Sequence, residues 1–239
     1  MSAAIFAARG VEQWFAMEQP DRDGHALAGV GIAAHAMAYG PDRFRDIAKQ
    51  CRGLAMDAEC ENDLVGLPSG AGPVFCGGFA FADRGGQSAE WAGFDPAQLI
   101  LPELSILRRA GRAWLTLATA VRTRGPGPGA ADPSMYIERL EKRLASLEPT
   151  VMPLIDPSPV QPARVSGAAP PEHYEGAVAR AVELIKRGEV RKVVLAREVR
   201  VHGAQPFDSA AVFGALREVF PSCFTYCVGR GDYAFMGAS

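Results

Sequence analysis

The sequence predicts a soluble chain of mixed helix and strand, and three patterns carry that expectation. Residues 73–121 hold short apolar runs broken by glycine, the pattern of strands and hairpins. Two stretches, after Pro41 and after Ser134, repeat apolar residues at helical spacing. Seven prolines from Pro149 to Pro171 then separate this sheet-rich part from a block that reads helix, strand, helix, strand, strand.

Composition narrows the function classes. The 239 residues carry 25 Lys+Arg against 27 Asp+Glu, a formal charge of -2, so no broad field draws the chain onto polyphosphate and nucleic acid is not an expected partner. The most apolar stretch, Leu27 to Tyr39, falls short of the roughly 20 residues a bilayer span needs and reads as a buried strand. Met1-Ser2-Ala3-Ala4-Ile5-Phe6 lacks the basic-then-apolar order of a secretory signal. A cytoplasmic protein is expected, with Cys51, Cys60, Cys76, Cys223 and Cys227 as reduced thiols.

Element by element, Phe44, Ile47, Ala48, Cys51 and Leu54 define an amphipathic helix, with Pro41 suited to its first turn. Pro73 to Ala82 reads as a strand in which Gly77-Gly78 marks a bulge or a close backbone approach. Leu99–Leu107 and Ala113–Val121 read as two strands joined by a hairpin at Arg109-Ala110-Gly111. Thr123 to Pro133 is too rich in Gly and Pro for an element interior and reads as a loop. A helix follows, capped by Ser134, with Ile137, Leu140, Leu144 and Leu147 as a stripe expected in the core.

Three parts are therefore expected: residues 1–148, a connector at 149–171, and residues 172–239. In the last, Tyr174, Val178, Ala181, Val182 and Ile185 share a helical face that ends at Gly188, which suits a left-handed cap. A strand is expected from Lys192 to Val201, then a helix capped by Asp208 and stopped by Pro221, then two strands turning through Gly229-Arg230-Gly231-Asp232. The last residues, Gly237-Ala238-Ser239, follow that strand without a closing element, so the chain reads as cut.

Few residues present themselves for chemistry. Gly125-Pro126-Gly127-Pro128-Gly129 lacks the backbone donors of a phosphate loop, and His25, His35, His173 and His202 show no zinc spacing. Asp57, Glu59 and Glu61 make an incomplete metal loop, and Arg230-Gly231-Asp232 is explained by hairpin-turn chemistry. That leaves Lys192-Val193-Val194-Leu195-Ala196-Arg197, apolar on both alternating faces. A lysine at the end of such a strand either snorkels to solvent or sits in a pocket, where desolvation favours the neutral amine that can act as a base.

Glu172-His173-Tyr174, Ile185-Lys186-Arg187-Gly188 and the run Lys192 to Arg197 resemble the start of the chorismate-utilising domain, specifically its isochorismate synthase branch. Leu216-Arg217, Phe220-Pro221, Cys223-Phe224 and Phe235-Met236-Gly237-Ala238-Ser239 resemble the stretch that continues in that family into a Pro-Glu pair. Gln13-Trp14-Phe15, Gln19-Pro20-Asp21, Gly77-Gly78-Phe79-Ala80-Phe81, Trp91 and Leu101-Pro102-Glu103-Leu104 are similar to the variable N-terminal region of the same enzymes.

The resemblance implies an α+β fold of antiparallel sheets packed face to face with helices outside, incomplete at the C-terminus. It implies a magnesium-dependent conversion of chorismate to isochorismate, in which water adds at C2 while the C4 hydroxyl leaves. Lys192 then becomes the general base. The acid, a glutamate of the Pro-Glu pair, and the magnesium ligands are expected beyond Ser239, so the 239-residue piece alone is expected to be inert, with open strand edges and poor solubility. Lysine at 192 argues for water as nucleophile, where anthranilate synthase and similar relatives typically carry glutamine. Salicylate synthases share the lysine, and a non-catalytic interaction module on the same scaffold stays open. The N-terminal likeness around Trp14 and Pro20 favours the menaquinone type over the siderophore type.

Overall fold

A computed structural model describes residues 2–10, 12–60, 65–121, 133–153 and 163–239. Contacts divide the chain into a larger unit of residues 1–154 and 209–239 and a smaller one of residues 155–208. The larger unit thus joins the first part expected from sequence to the last strands of the third.

The larger unit begins with helix α1 (Ser2–Ala8) and the hairpin β1 (Gln13–Gln19) and β2 (His25–Val30). β3 (Ala34–Met37), α2 (Arg43–Met56), β4 (Cys76–Phe79), a short 3₁₀ turn (Ala89–Trp91), β5 (Ala97–Leu101), β6 (Leu104–Arg109), β7 (Arg112–Leu117) and α3 (Pro133–Ala145) follow. In the smaller unit β8 (Arg164–Gly167) pairs with β9 (Val199–His202), and α4 (Pro171–Lys186) lies between them in sequence. The chain then returns to the larger unit with α5 (Ser209–Val219), β10 (Thr225–Arg230) and β11 (Tyr233–Ala238).

Two antiparallel sheets build the larger unit. The first runs β11-β10-β1-β2-β6-β7 and the second β3-β5-β4. Alternation decides what each face meets. Trp14, Ala16, Ala28, Val30, Leu104 and Cys227 turn to one side of the first sheet, where Ile5 and Phe6 of α1 and Ala210 and Phe213 of α5 cover them. In the second sheet Ala36 and Ala97 meet Ile47 of α2 in the same way. Helices therefore lie outside, and the opposite faces of the two sheets border a shared cavity, with Gln13, Tyr226, Val228 and Phe235 on one wall and Gly78 and Gln98 on the other.

The turns follow their residues. Arg109 pairs with Arg112 across Ala110-Gly111, both at positive φ (49° and 73°), the two-residue turn whose twist matches a hairpin. The α4 end is a Schellman cap: Gly188, at φ 76°, donates to the Ile185 carbonyl and Glu189 donates to that of Leu184.

The structure corrects several sequence expectations. Leu27 to Tyr39 is not one strand, because Gly31, at φ 80°, ends β2 and the chain passes into β3 of the other sheet. Leu99 to Leu107 likewise breaks at Pro102 and divides between the two sheets. The strand expected from Lys192 is formed only at Val199–His202, since Lys192 to Glu198 finds no strand partner among the described residues. The α3 stripe is not fully core, with Ile137 and Leu144 exposed. Residues 123–132 of the expected loop and residues 154–162 of the proline connector lie outside the described residues.

Candidate functional site

The cavity bordered by both sheets has a volume of about 610 Å³. Its walls are aromatic: Trp91 stands 5.4 Å from Phe235 and 6.1 Å from Phe94, and Phe235 stands 5.9 Å from Tyr226. Gln13 and Gln98 supply its amides and Asp95 its one charge among the described lining residues. The Gln13 side chain is buried, and its Oε1 has no hydrogen-bond partner among the described residues.

A rigid frame holds the cavity's rim. Gly77 brings β4 so close to β5 that an added Cβ would fall on the Gln98 carbonyl oxygen and within 3.1 Å of Leu99 Cα. Just beyond β4, the buried Arg43 of α2 donates to the Ala80 and Phe81 carbonyls, both at 3.0 Å, and pairs with Asp83 at 2.6 Å. Its guanidinium also lies 4.4 Å from the centre of the Phe44 ring. The far end of the same loop seats on β11, where a Cβ on Gly93 would come 2.5 Å from Tyr233.

Two buried carboxylates fix the sheets to the helices. Glu18 accepts from Ser2 Oγ of α1 and lies 3.4 Å from Arg217 of α5 and 3.8 Å from Arg108 of β6. Glu103 pairs with Arg139 at 2.5 Å and Arg143 at 2.8 Å, both on α3, and Arg143 also meets Glu12. Burial opposes the charge on Arg143, but its bonds to Glu103 and Glu12 outweigh that and raise its pKa. Burial pushes the Cys76 and Cys227 thiols up to about 12, with Arg9 pulling Cys227 the other way. Burial and then the charges of Arg109 and Arg22 pull His25 down.

Lys192 belongs to the smaller unit and is exposed, on a segment without regular structure between α4 and β9. Among the described residues no three His, Cys, Asp or Glu side chains gather as a metal site. The described residues therefore do not supply a magnesium ligand set. No helix among them is long and apolar enough to cross a membrane. Arg43 and Gln98 carry no signal in the sequence, because an arginine among the charges of Asp42-Arg43-Phe44-Arg45-Asp46 and a lone glutamine before Leu99 look like solvated positions until their helix or strand has a neighbour.

A profile of the family described as chorismate binding enzyme matches residues 4–239. The chain belongs to the chorismate-binding enzyme family. Within it, the chain is 28% identical over 228 residues to the salicylate biosynthesis isochorismate synthase of Pseudomonas aeruginosa, covering 93% of this chain and 43% of that relative. Two solved structures share the fold. MenF, the menaquinone-specific isochorismate synthase from Escherichia coli, matches with a TM-score of 0.56 at 20% identity over 100% of this chain and 47% of its own. The putative 2,3-dihydroxybenzoate-specific isochorismate synthase DhbC from Bacillus anthracis matches with a TM-score of 0.51 at 16% identity, over 96% and 44%. The chain spans under half the length of each of these three proteins.

Proposed function

We propose that the protein this chain represents is an isochorismate synthase, a cytoplasmic enzyme that moves the hydroxyl of chorismate from C4 to C2 with water as the nucleophile. The observation that carries the reading is the family match across residues 4–239 with lysine at position 192. Lys192 is the proposed general base: its neutral amine takes a proton from water as that oxygen bonds C2, the ring double bonds shift, and the C4 hydroxyl leaves with a proton from an acid. The resemblance assigns that acid to the glutamate of a Pro-Glu pair following the stretch that ends in Gly237-Ala238-Ser239. A neutral lysine needs a desolvated pocket, so the exposed Lys192 side chain must be covered in the working site. When bound, magnesium would neutralise the ring carboxylate.

The aromatic cavity is not the proposed chorismate seat. Chorismate is a dicarboxylate, and no Lys, Arg or His stands among the described lining residues, while Asp95 would repel it. The exposure of Lys192 favours a second reading, a non-catalytic module on the same scaffold. Incubating the complete protein with chorismate and magnesium and separating the products decides between them. Isochorismate as product supports the proposal, salicylate with pyruvate identifies the salicylate-forming branch, and unconsumed chorismate supports the module.

A further inference from the structure

Three basic side chains form a row at one end of the six-stranded sheet. Arg109 and Arg112 stand directly opposite across the β6–β7 hairpin, and the register that pairs Ala26 with Arg108 sets His25 of β2 beside Arg109 one step further on. Opposed residues of a ladder project from the same face, so the row shares the face of Leu27 and Leu107. The β1–β2 turn adds Arg22, whose charge acts on His25. The two turns are tied together: the Ala110 N–H donates to the Asp23 carbonyl and Arg108 Nε to that of Gly24, both at 3.0 Å. The Arg112 guanidinium lies 5.3 Å from the centre of the Trp114 ring, two residues along the same face.

Like charges directly opposite destabilise a ladder, and carboxylates do not offset these. Among the described residues Arg22, Arg109 and Arg112 have no ion-pair partner, and Asp21 and Asp23 of the turn have none either. The buried Glu18 belongs to the other face, where Ser2, Arg108 and Arg217 engage it. Burial, then the charges of Arg109 and Arg22, pulls the His25 pKa down, so the imidazole sits among cations. With a net charge of -2 the chain has no broad positive field, and any hold on an anion here is local.

We propose that His25, Arg109 and Arg112, together with Arg22, form a binding site for the phosphoryl group of a small molecule. Two guanidiniums opposite each other on a hairpin meet a tetrahedral oxyanion from two sides, each with paired N–H donors, and the imidazole supplies a further donor. A flat carboxylate matches one guanidinium fork and leaves the other charge unanswered. The bound dianion offsets the repulsion between Arg109 and Arg112 and favours the imidazolium of His25, so binding takes up a proton there.

Isothermal titration calorimetry of the complete protein with inorganic phosphate, at an ionic strength held constant with chloride, tests it. Arg109→Ala and Arg112→Ala are each expected to weaken phosphate binding about tenfold, the loss of one charge-assisted contact, and Arg112→Lys, which keeps the charge without the fork, is expected to fall between. Arg109→Ala relieves an opposed pair, so its urea midpoint is expected to be no lower than that of the parent. Near pH 6.5, titrations in two buffers of different ionisation enthalpy are expected to show more proton uptake on binding by the parent than by His25→Asn. No binding heat beyond that of chloride, unchanged affinity in both alanine variants, or equal proton uptake by parent and His25→Asn would each overturn the proposal. Malonate binding as tightly as phosphate would overturn it too, by showing recognition of charge without phosphoryl geometry, and so would weaker binding confined to variants whose urea midpoint also falls. The experiment reads phosphate alone, so its outcome is separate from that of the chorismate assay.

Discussion

Two adjacent glycines in β4 offer a controlled test of what shapes the cavity. Gly77 faces the Gln98 carbonyl so closely that a methyl group has no room, and the obstacle is backbone, which cannot swing aside. Gly78, one residue on, has nothing within 4 Å of its would-be Cβ and no positive φ. Overpacking against well-ordered surroundings costs about 1–3 kcal/mol, and a backbone obstacle puts Gly77→Ala near 3 kcal/mol. For an m-value of roughly 3 kcal/mol/M, that moves the urea midpoint down by about 1 M. Gly78→Ala should stay within about 0.5 kcal/mol of the parent. Urea titrations followed by tryptophan fluorescence, where Trp91 reports on the cavity rim, measure both. Equal losses for the two variants would refute the claim that β4 and β5 are in backbone contact at Gly77.

The remaining expectations concern charge and thiols. Glu103→Gln removes one of the two charges facing the largely buried Arg143, which keeps Glu12, and should cost about 2 kcal/mol in the same titration, less than a fully buried pair because Arg139 is 60% exposed. Because the folded pKa of His25 lies below its unfolded value near 6.5, the folded state resists protonation there. Stability should therefore fall as pH drops from 6.5 through the lowered folded pKa, and His25→Asn should flatten that part of the curve, as chemical denaturation at a series of pH values would show. Native-state labelling with a thiol reagent at pH 8 should modify the exposed Cys60 first and leave Cys76 and Cys227 intact until denaturant is added.

Local order was legible in the sequence wherever one element explained its own residues. Phe44 to Leu54 announced α2, the Ala110-Gly111 and Gly231-Asp232 pairs announced their hairpins, and Gly77 announced a close backbone approach. Partnership across the chain was not legible. β1 pairs with β2 on one side and with β10, more than 200 residues away, on the other, in a register that no local pattern encodes. The same limit hid α1, whose Ile5 and Phe6 look like an ordinary apolar start until Trp14 and Phe213 close over them. It also split Leu27 to Tyr39 and Leu99 to Leu107, since apolarity shows that a run is buried but not that its halves belong to different sheets. Lys192 stands out in the sequence through its position in an apolar run, whereas Arg43 and Glu103 of the larger unit acquire meaning only from loops and helices that arrive later in the chain.

Replacing Lys192 with alanine in the complete protein, and following chorismate consumption with isochorismate release, tests the central claim most directly. The account predicts a loss of kcat of about 10²–10⁴-fold with KM for chorismate nearly unchanged, because a general base acts on water rather than holding the substrate. A variant that retains parental kcat would contradict it.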